Sequence, residues 1–216
     1  MKRKYVVFDL DDTLVSELDY LKSAYKEIAN NIDNALKESI YDEMLDWYLN
    51  KKNAFELLCK KYPNLNTEQL LFWYRNHFPT IELKIGVEEL LKFIKSNDFK
   101  LGLITDGRSL TQRNKLRALN IEDLFDKIVI SEEFGTSKPE MRNYEAFIET
   151  GINSYFYVGD NLRKDFISPN RLGWVTICLK DSGTNIHKQE KTYDSNAKPK
   201  FFVKEISEIK QLIIDN

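Results

Sequence analysis

The chain has 216 residues, of which 42% are hydrophobic and 31% charged, with a formal net charge of -2. This balance excludes a disordered chain and a basic nucleic-acid surface, and the length allows one full domain with a substantial insertion or two small domains. Cys59 and Cys178 stand far apart without partner spacing, so neither a disulfide framework nor a zinc site is encoded, and both read as small buried apolar residues.

The opening Met-Lys-Arg-Lys passes after four apolar residues into Asp9, too short a run for a signal peptide, and no stretch approaches a membrane span. A cytoplasmic protein with no membrane or nucleic-acid partner is expected. Residues 5–8 read as an apolar strand that ends in Asp9-Leu10-Asp11-Asp12-Thr13. In an extended chain residues two apart face the same side, so Asp9 and Asp11 share a face and Asp12 points elsewhere. Clustered carboxylates repel one another, and a hard divalent cation with its preference for oxygen ligands relieves that repulsion. On this segment alone a polar turn after an edge strand is an open alternative.

Leu18, Leu21, Tyr25, Ile28, Ile32 and Leu36 recur at spacings of three and four, one face of an amphipathic helix. Further helices are expected over 41–61 and 67–77, with Pro63 and Pro79 as breakers. From Gly86 the pattern alternates: helix 87–96, strand 100–105, helix 109–119, strand 127–130, helix 140–149, strand 155–158, helix 164–172, strand 174–178, strand 201–203 and helix 205–214. Pro169 is expected to shorten or kink the helix that holds it. The polar run 187–200 reads as a solvated loop.

Strands joined by helical crossovers predict an α/β fold, a parallel sheet with helices on both faces, interrupted after its first strand by a helical insertion. Ligands of such sheets bind beyond the carboxyl ends of the strands. The residues there are Asp9 and Asp11, then Thr105-Asp106-Gly107-Arg108, then Lys138-Pro139, and then Gly159-Asp160-Asn161 with Asp165. Individually each reads as an ordinary turn, a solvated loop or a helix N-terminal charge. Together, four consecutive strand ends carry groups suited to phosphate or metal.

These four segments resemble the motifs of the haloacid dehalogenase-like hydrolase superfamily over nearly the whole chain. The resemblance implies a Rossmann-like catalytic core of residues 1–14 and 83–216 with an all-helical cap at 15–82. It further implies a magnesium-dependent phosphatase of small phosphomonoesters (sugar phosphates, acyl-sugar phosphates or nucleoside monophosphates) working through an aspartyl phosphate. By the same resemblance Asp9 is the nucleophile and Asp11 the general acid and base. Asp9, Asp160 and Asp11, the last through its backbone carbonyl, hold Mg2+, and Asp165 supports them. Thr105, Asp106, Gly107 and Lys138 bind the phosphoryl group. An aspartate at position 11 favours phosphate over carbon-halogen chemistry.

A phosphomutase would share all four motifs. Outside that class, a receiver domain phosphorylated on Asp106 and a catalytically silent phosphate-binding protein remain alternatives. Arg108 and the cap residues Tyr20, Tyr25, Trp47, Trp73, Tyr74, Arg75 and His77 are candidates for substrate choice, although aromatics at helical spacing also serve packing. His77 and His187 are too isolated to suggest a metal site or a catalytic triad. A monomer or weak homodimer with a small phosphorylated substrate is expected.

Overall fold

The computed structural model describes residues 3–189 and 193–216. Its six-stranded sheet has the order β3-β2-β1-β4-β5-β6, all pairs parallel. The strands are β1 Lys4–Phe8, β2 Lys100–Thr105, β3 Lys127–Ile130, β4 Ser154–Gly159, β5 Val175–Leu179 and β6 Phe201–Val203. β1 is central, hydrogen-bonded to β2 on one side and β4 on the other. The strand order reverses at β1, and that reversal opens a crevice beyond its carboxyl end.

Between β1 and β2 run α1 (Glu17–Ile32), α2 (Lys37–Leu49), α3 (Ala54–Lys61), α4 (Thr67–Asn76) and α5 (Val87–Ser96). α6 (Ser109–Ala118) joins β2 to β3, α7 (Ser131–Phe134) and α8 (Met141–Glu145) precede β4, α9 (Ile167–Arg171) precedes β5, and α10 (Ser207–Asp215) closes the chain. Every residue of β1 is buried, as a central parallel strand covered on both faces requires. Its alternation sends Val6 and Phe8 into a cluster with Leu90, Ile94 and Ile209, and Tyr5 and Val7 into another with Tyr144, Phe147 and Trp174. The insertion has its own core, built from Leu21, Tyr25, Ile28, Met44, Leu58 and Leu70 among others. Its two ends meet where Val15 bridges Leu83 and the Lys84 amide donates to Leu14 O.

The helices depart from their expected bounds for local reasons. α1 stops at Ile32 because Asp33 turns its carboxylate onto the Ala35 and Leu36 amides, and Leu36 leaves the apolar stripe. The expected helix over 41–61 is two helices, broken by Lys51 in the left-handed region and restarted by Asn53, whose side chain caps the Glu56 amide. The helix expected over 164–172 is confined to α9, and Pro169 lies in its first turn, where an amide needs no partner. The run 187–200 is anchored at both ends, by Gln189 donating to Asp160 O and Leu179 O and by buried Ala197; residues 190–192 lie outside the described residues.

Ile28 is fully buried in the insertion core and Leu49 is 66% exposed. In chemical denaturation Ile28→Ala is expected to cost about 2–5 kcal/mol and Leu49→Ala within about 0.5 kcal/mol. Equal effects of the two would contradict the packing described.

Candidate active site

β1 ends by delivering Asp9 to the crevice, its amide held by Val158 O at 2.9 Å. From the loop after β3, the buried ammonium of Lys138 reaches Asp9 Oδ1 at 2.6 Å and Asp165 Oδ1 at 2.7 Å. The second oxygen of Asp165 accepts from the Asp160 and Asn161 amides at 3.1 and 2.8 Å. Asp165 is thereby used up holding Lys138 and the turn after β4, whereas Asp9 keeps its second oxygen without a partner among the described residues. Gly159 makes this possible, because a Cβ there would lie 2.4 Å from Asp165 Oδ2.

Asp9, Asp160 and Asp165 can each offer an oxygen within 4.8 Å of the others. Burial lifts the Asp9 carboxyl to about 7, in spite of Lys138, and lifts Asp160 to about 9 with added repulsion from Asp165 and Asp9. Burial alone would lower Lys138, but the Asp165 and Asp9 charges overcome it and hold the ammonium well above its usual range. Two buried carboxyls resisting ionisation, with a third carboxylate oxygen within 4.8 Å, fit a hard divalent cation. Asp160 Oδ2 is also oriented by the Asn185 amide at 2.8 Å.

Asp11 lines the same cavity as Asp9, with its carboxylate held by α6. Lys115, buried on α6, donates to Asp11 Oδ1 at 2.6 Å, and Gln112 donates to Asp11 Oδ2 at 3.2 Å. The Lys115 ammonium also lies 4.2 Å from the centre of the Tyr20 ring on α1, so it touches both the insertion and the acid loop. Asp12 lines the same cavity instead of pointing elsewhere, because the chain leaves the extended conformation there with a φ of 57°. Its carboxylate accepts from the Glu17 and Ile186 amides, both at 3.0 Å, tying α1 to the loop after β5.

The remaining strand-end residues divide. Thr105 is buried with its hydroxyl unpartnered, the state of a group awaiting an acceptor or donor. Asp106 accepts from the Lys138 amide at 3.0 Å and from Lys164 Nζ at 2.9 Å, so it braces the Lys138 backbone and the Lys164 ammonium. The Gly107 amide is taken by Ser131 Oγ at 2.9 Å; with a φ of 149°, and a Cβ that would fall 2.5 Å from Gln112 Nε2, the glycine makes room for the amide that holds Asp11. Arg108 pairs with Glu132 at 3.3 Å and lines a separate recess of about 490 Å³ with Phe72 and Arg75. The crevice cavity, about 150 Å³, is lined by Asp9, Asp11, Asp12, Glu17, Thr105, Asp106, Asp160, Asn161, Lys164 and His187. None of the aromatic candidates of the insertion reaches it; Tyr25, Trp47, Trp73 and Tyr74 pack in the insertion core, and Tyr20 packs at a tilt against His77.

Residues 6–179 match the family model of haloacid dehalogenase-like hydrolases. The chain belongs to that family. The hydrolase is 30% identical over 195 residues to glyceraldehyde 3-phosphate phosphatase of Methanopyrus kandleri, covering 82% of this chain and 84% of the relative. It is 28% identical over 190 residues to the protein of the same name in Methanocaldococcus jannaschii, covering 81% and 83%. Its fold is similar to that of the HAD-hydrolase YfnB of Bacillus subtilis bound to magnesium, with a TM-score of 0.69, 18% identity and 99% of each chain covered.

Sequence reasoning missed Lys115, Gln112, Lys164, Asn185, Glu17 and the placement of His187 in this hydrolase. Lys115 and Gln112 lie within an expected helix, and their burial at 2% and 3% exposure is the signal that sets them apart, visible only after folding. Asn185 had no neighbour in sequence to mark it. Gly159→Ala is expected to lower the stability of the hydrolase by about 1–3 kcal/mol through the clash with Asp165, read as a drop in thermal midpoint. An unchanged midpoint would show that the carboxylate does not lie against the strand end.

Proposed function

We propose that the hydrolase releases phosphate from small phosphomonoesters through an aspartyl phosphate on Asp9, with Mg2+ as its cofactor. The observation that carries this reading is Asp9, one oxygen clamped by Lys138 and the other free, in a cavity that also holds the unpartnered hydroxyl of Thr105. Similarity to glyceraldehyde 3-phosphate phosphatases supports a short-chain phosphorylated substrate. Asp106 as phosphate acceptor is disfavoured, since its carboxylate already serves Lys138 and Lys164.

In the first step the free oxygen of Asp9 forms a bond to phosphorus as the ester P–O bond breaks, and the departing oxygen takes a proton from Asp11. In the second step Asp11 removes a proton from water, the water oxygen bonds to phosphorus, and the Asp9–phosphorus bond breaks to regenerate the carboxylate. Lys138, whose three N–H groups go to Asp9, Asp165 and Tyr157, fixes the attacking carboxylate, and Thr105 offers a donor to the phosphoryl oxygens where charge redistributes. Lys115 and Gln112 set where the Asp11 carboxylate rests between turnovers. Asp9, Asp160 and the Asp11 carbonyl would hold Mg2+, which supplies positive charge between carboxylate and phosphate.

We further infer that 15–82 acts as one cap unit on a core of 1–14 and 83–216. The bridge of Val15 to Leu83, which brings the two ends of the insertion together, and the insertion's own core support that division.

Asp9→Asn is expected to abolish magnesium-dependent phosphate release across a panel of sugar, triose and aryl phosphates. Full activity in that variant would remove Asp9 from the chemistry.

A second outcome concerns stability. The carboxyls of Asp9 and Asp160 rise from 3.8 to about 7 and about 9. A group whose folded value is raised binds its proton more tightly when folded, so stability is greatest below the unfolded value and declines as pH climbs through the folded ones. The cation-free protein should therefore lose thermal stability from about pH 5 to about pH 9, and added Mg2+ should raise the midpoint by several degrees at the upper end and far less at the lower. Equal Mg2+ effects at both ends would disconnect the ion from these carboxyls.

A further inference from the structure

Glu17 is the one residue of the helical insertion that lines the crevice cavity. It is the first residue of α1, and its amide is fixed by Asp12 Oδ1 at 3.0 Å, so the side chain starts from a defined point on the cavity wall. The groups proposed to engage the phosphoryl, Asp9 and Thr105, come from the strand ends. A phosphomonoester seated there extends its organic part toward the rest of the lining, where Glu17 and His187 stand.

Among the described residues of this wall the one ammonium, Lys164, is already matched to a carboxylate, and the His187 imidazole lies beside Glu17. Lys164 Nζ is 2.9 Å from Asp106 Oδ2, and His187 Nε2 is 3.8 Å from Glu17 Oε2. A second anionic group on the substrate would meet the Glu17 carboxylate with no further ammonium among the described lining residues to receive it. A hydroxyl would find an acceptor in the same place. Apart from the His187 ring, no aromatic or aliphatic side chain among the described residues lines the cavity. At about 150 Å³ the space is that of a benzene-sized ligand, which suits a phosphoryl group with a short polar tail.

We infer that Glu17 selects for short, uncharged polyol or hydroxy-carbonyl phosphates and rejects substrates that carry a carboxylate beside the phosphate. This selection rests on the phosphatase reading of the same site. Burial and the neighbouring Asp11 charge lift the Glu17 carboxyl to about 7 against the pull of Lys115, so above that pH Glu17 acts by accepting a hydrogen bond from the leaving group and by repelling a like charge, which at contact distance near a protein surface is worth more than a tenfold preference.

The test is a comparison of kcat/KM on matched pairs that differ only in a terminal hydroxymethyl or carboxylate: 2-hydroxyethyl phosphate against 2-phosphoglycolate, and glycerol 3-phosphate against 3-phosphoglycerate. p-Nitrophenyl phosphate reports activity that does not depend on the tail. The wild-type chain with Mg2+ should favour the uncharged member of each pair by at least about tenfold. Glu17→Gln should shrink the ratio to about threefold or less, chiefly by improving KM for the acidic member, and Glu17→Asp should retain most of the preference. Binding of both members of each pair to the Asp9→Asn variant, followed by thermal shift, should show the same order without turnover. A wild-type ratio near one, or a ratio unmoved in Glu17→Gln while p-nitrophenyl phosphate is still hydrolysed, overturns the selection and leaves the phosphatase reading standing. Failure to hydrolyse any phosphomonoester overturns both.

Discussion

A buried ammonium between two buried carboxylates organises this molecule. Lys138 lies within 2.7 Å of both Asp9 and Asp165, and its side chain is only 1% exposed. None of the three charges would be tolerable alone in that position, so each fixes the others. Because Lys138 comes from the segment after β3, Asp9 from the end of β1 and Asp165 from the segment after β4, one triad sets the relative positions of three loops. Asp106 adds the segment after β2 by receiving the Lys138 amide. The crevice at the strand reversal is thus built around a charge cluster, and the proposed cation would complete its neutralisation at Asp160 and Asp9.

A second set of contacts ties the helical insertion to that cluster. Asp12 holds the start of α1 and the loop after β5 with one carboxylate, and Asn185 on the same loop orients Asp160. Lys115 contacts Asp11 and the Tyr20 ring together. Movement of the insertion relative to the sheet would therefore be felt at Asp11, Asp12 and Asp160, residues that line the cavity. The specificity proposed for Glu17 belongs to the same arrangement, since the carboxylate enters the site only because α1 begins where Asp12 anchors it.

Much of this was legible before folding, and the parts that were not share a cause. The strands 100–105, 127–130 and 201–203 matched their expected bounds because short apolar runs between turn residues have few alternatives. The long helices of the insertion did not, since Asn50, Lys51 and Asp33 act through side-chain capping and left-handed backbone that apolar periodicity does not register. Asp12 shows the same limit, because its outward orientation followed from strict strand alternation and the chain abandons that alternation at its own φ of 57°. Arg108 was a reasonable reading from its place after Asp106-Gly107, and the structure turns it toward Glu132 and away from the cavity.

The amino-acid order alone determined the α/β alternation, the helical insertion after β1 and the gathering of acids, a threonine and a lysine at successive strand ends, because these depend on local periodicity and on the rule that parallel strands share one carboxyl edge. Only the tertiary structure decided how those groups divide their work. Whether a carboxylate faces the cavity, braces a lysine or caps an amide depends on partners more than a hundred residues away, as Asp9 with Lys138 and Asp11 with Lys115 show. Pairing at that separation is set by how helices pack on the sheet, and no spacing along the chain encodes it.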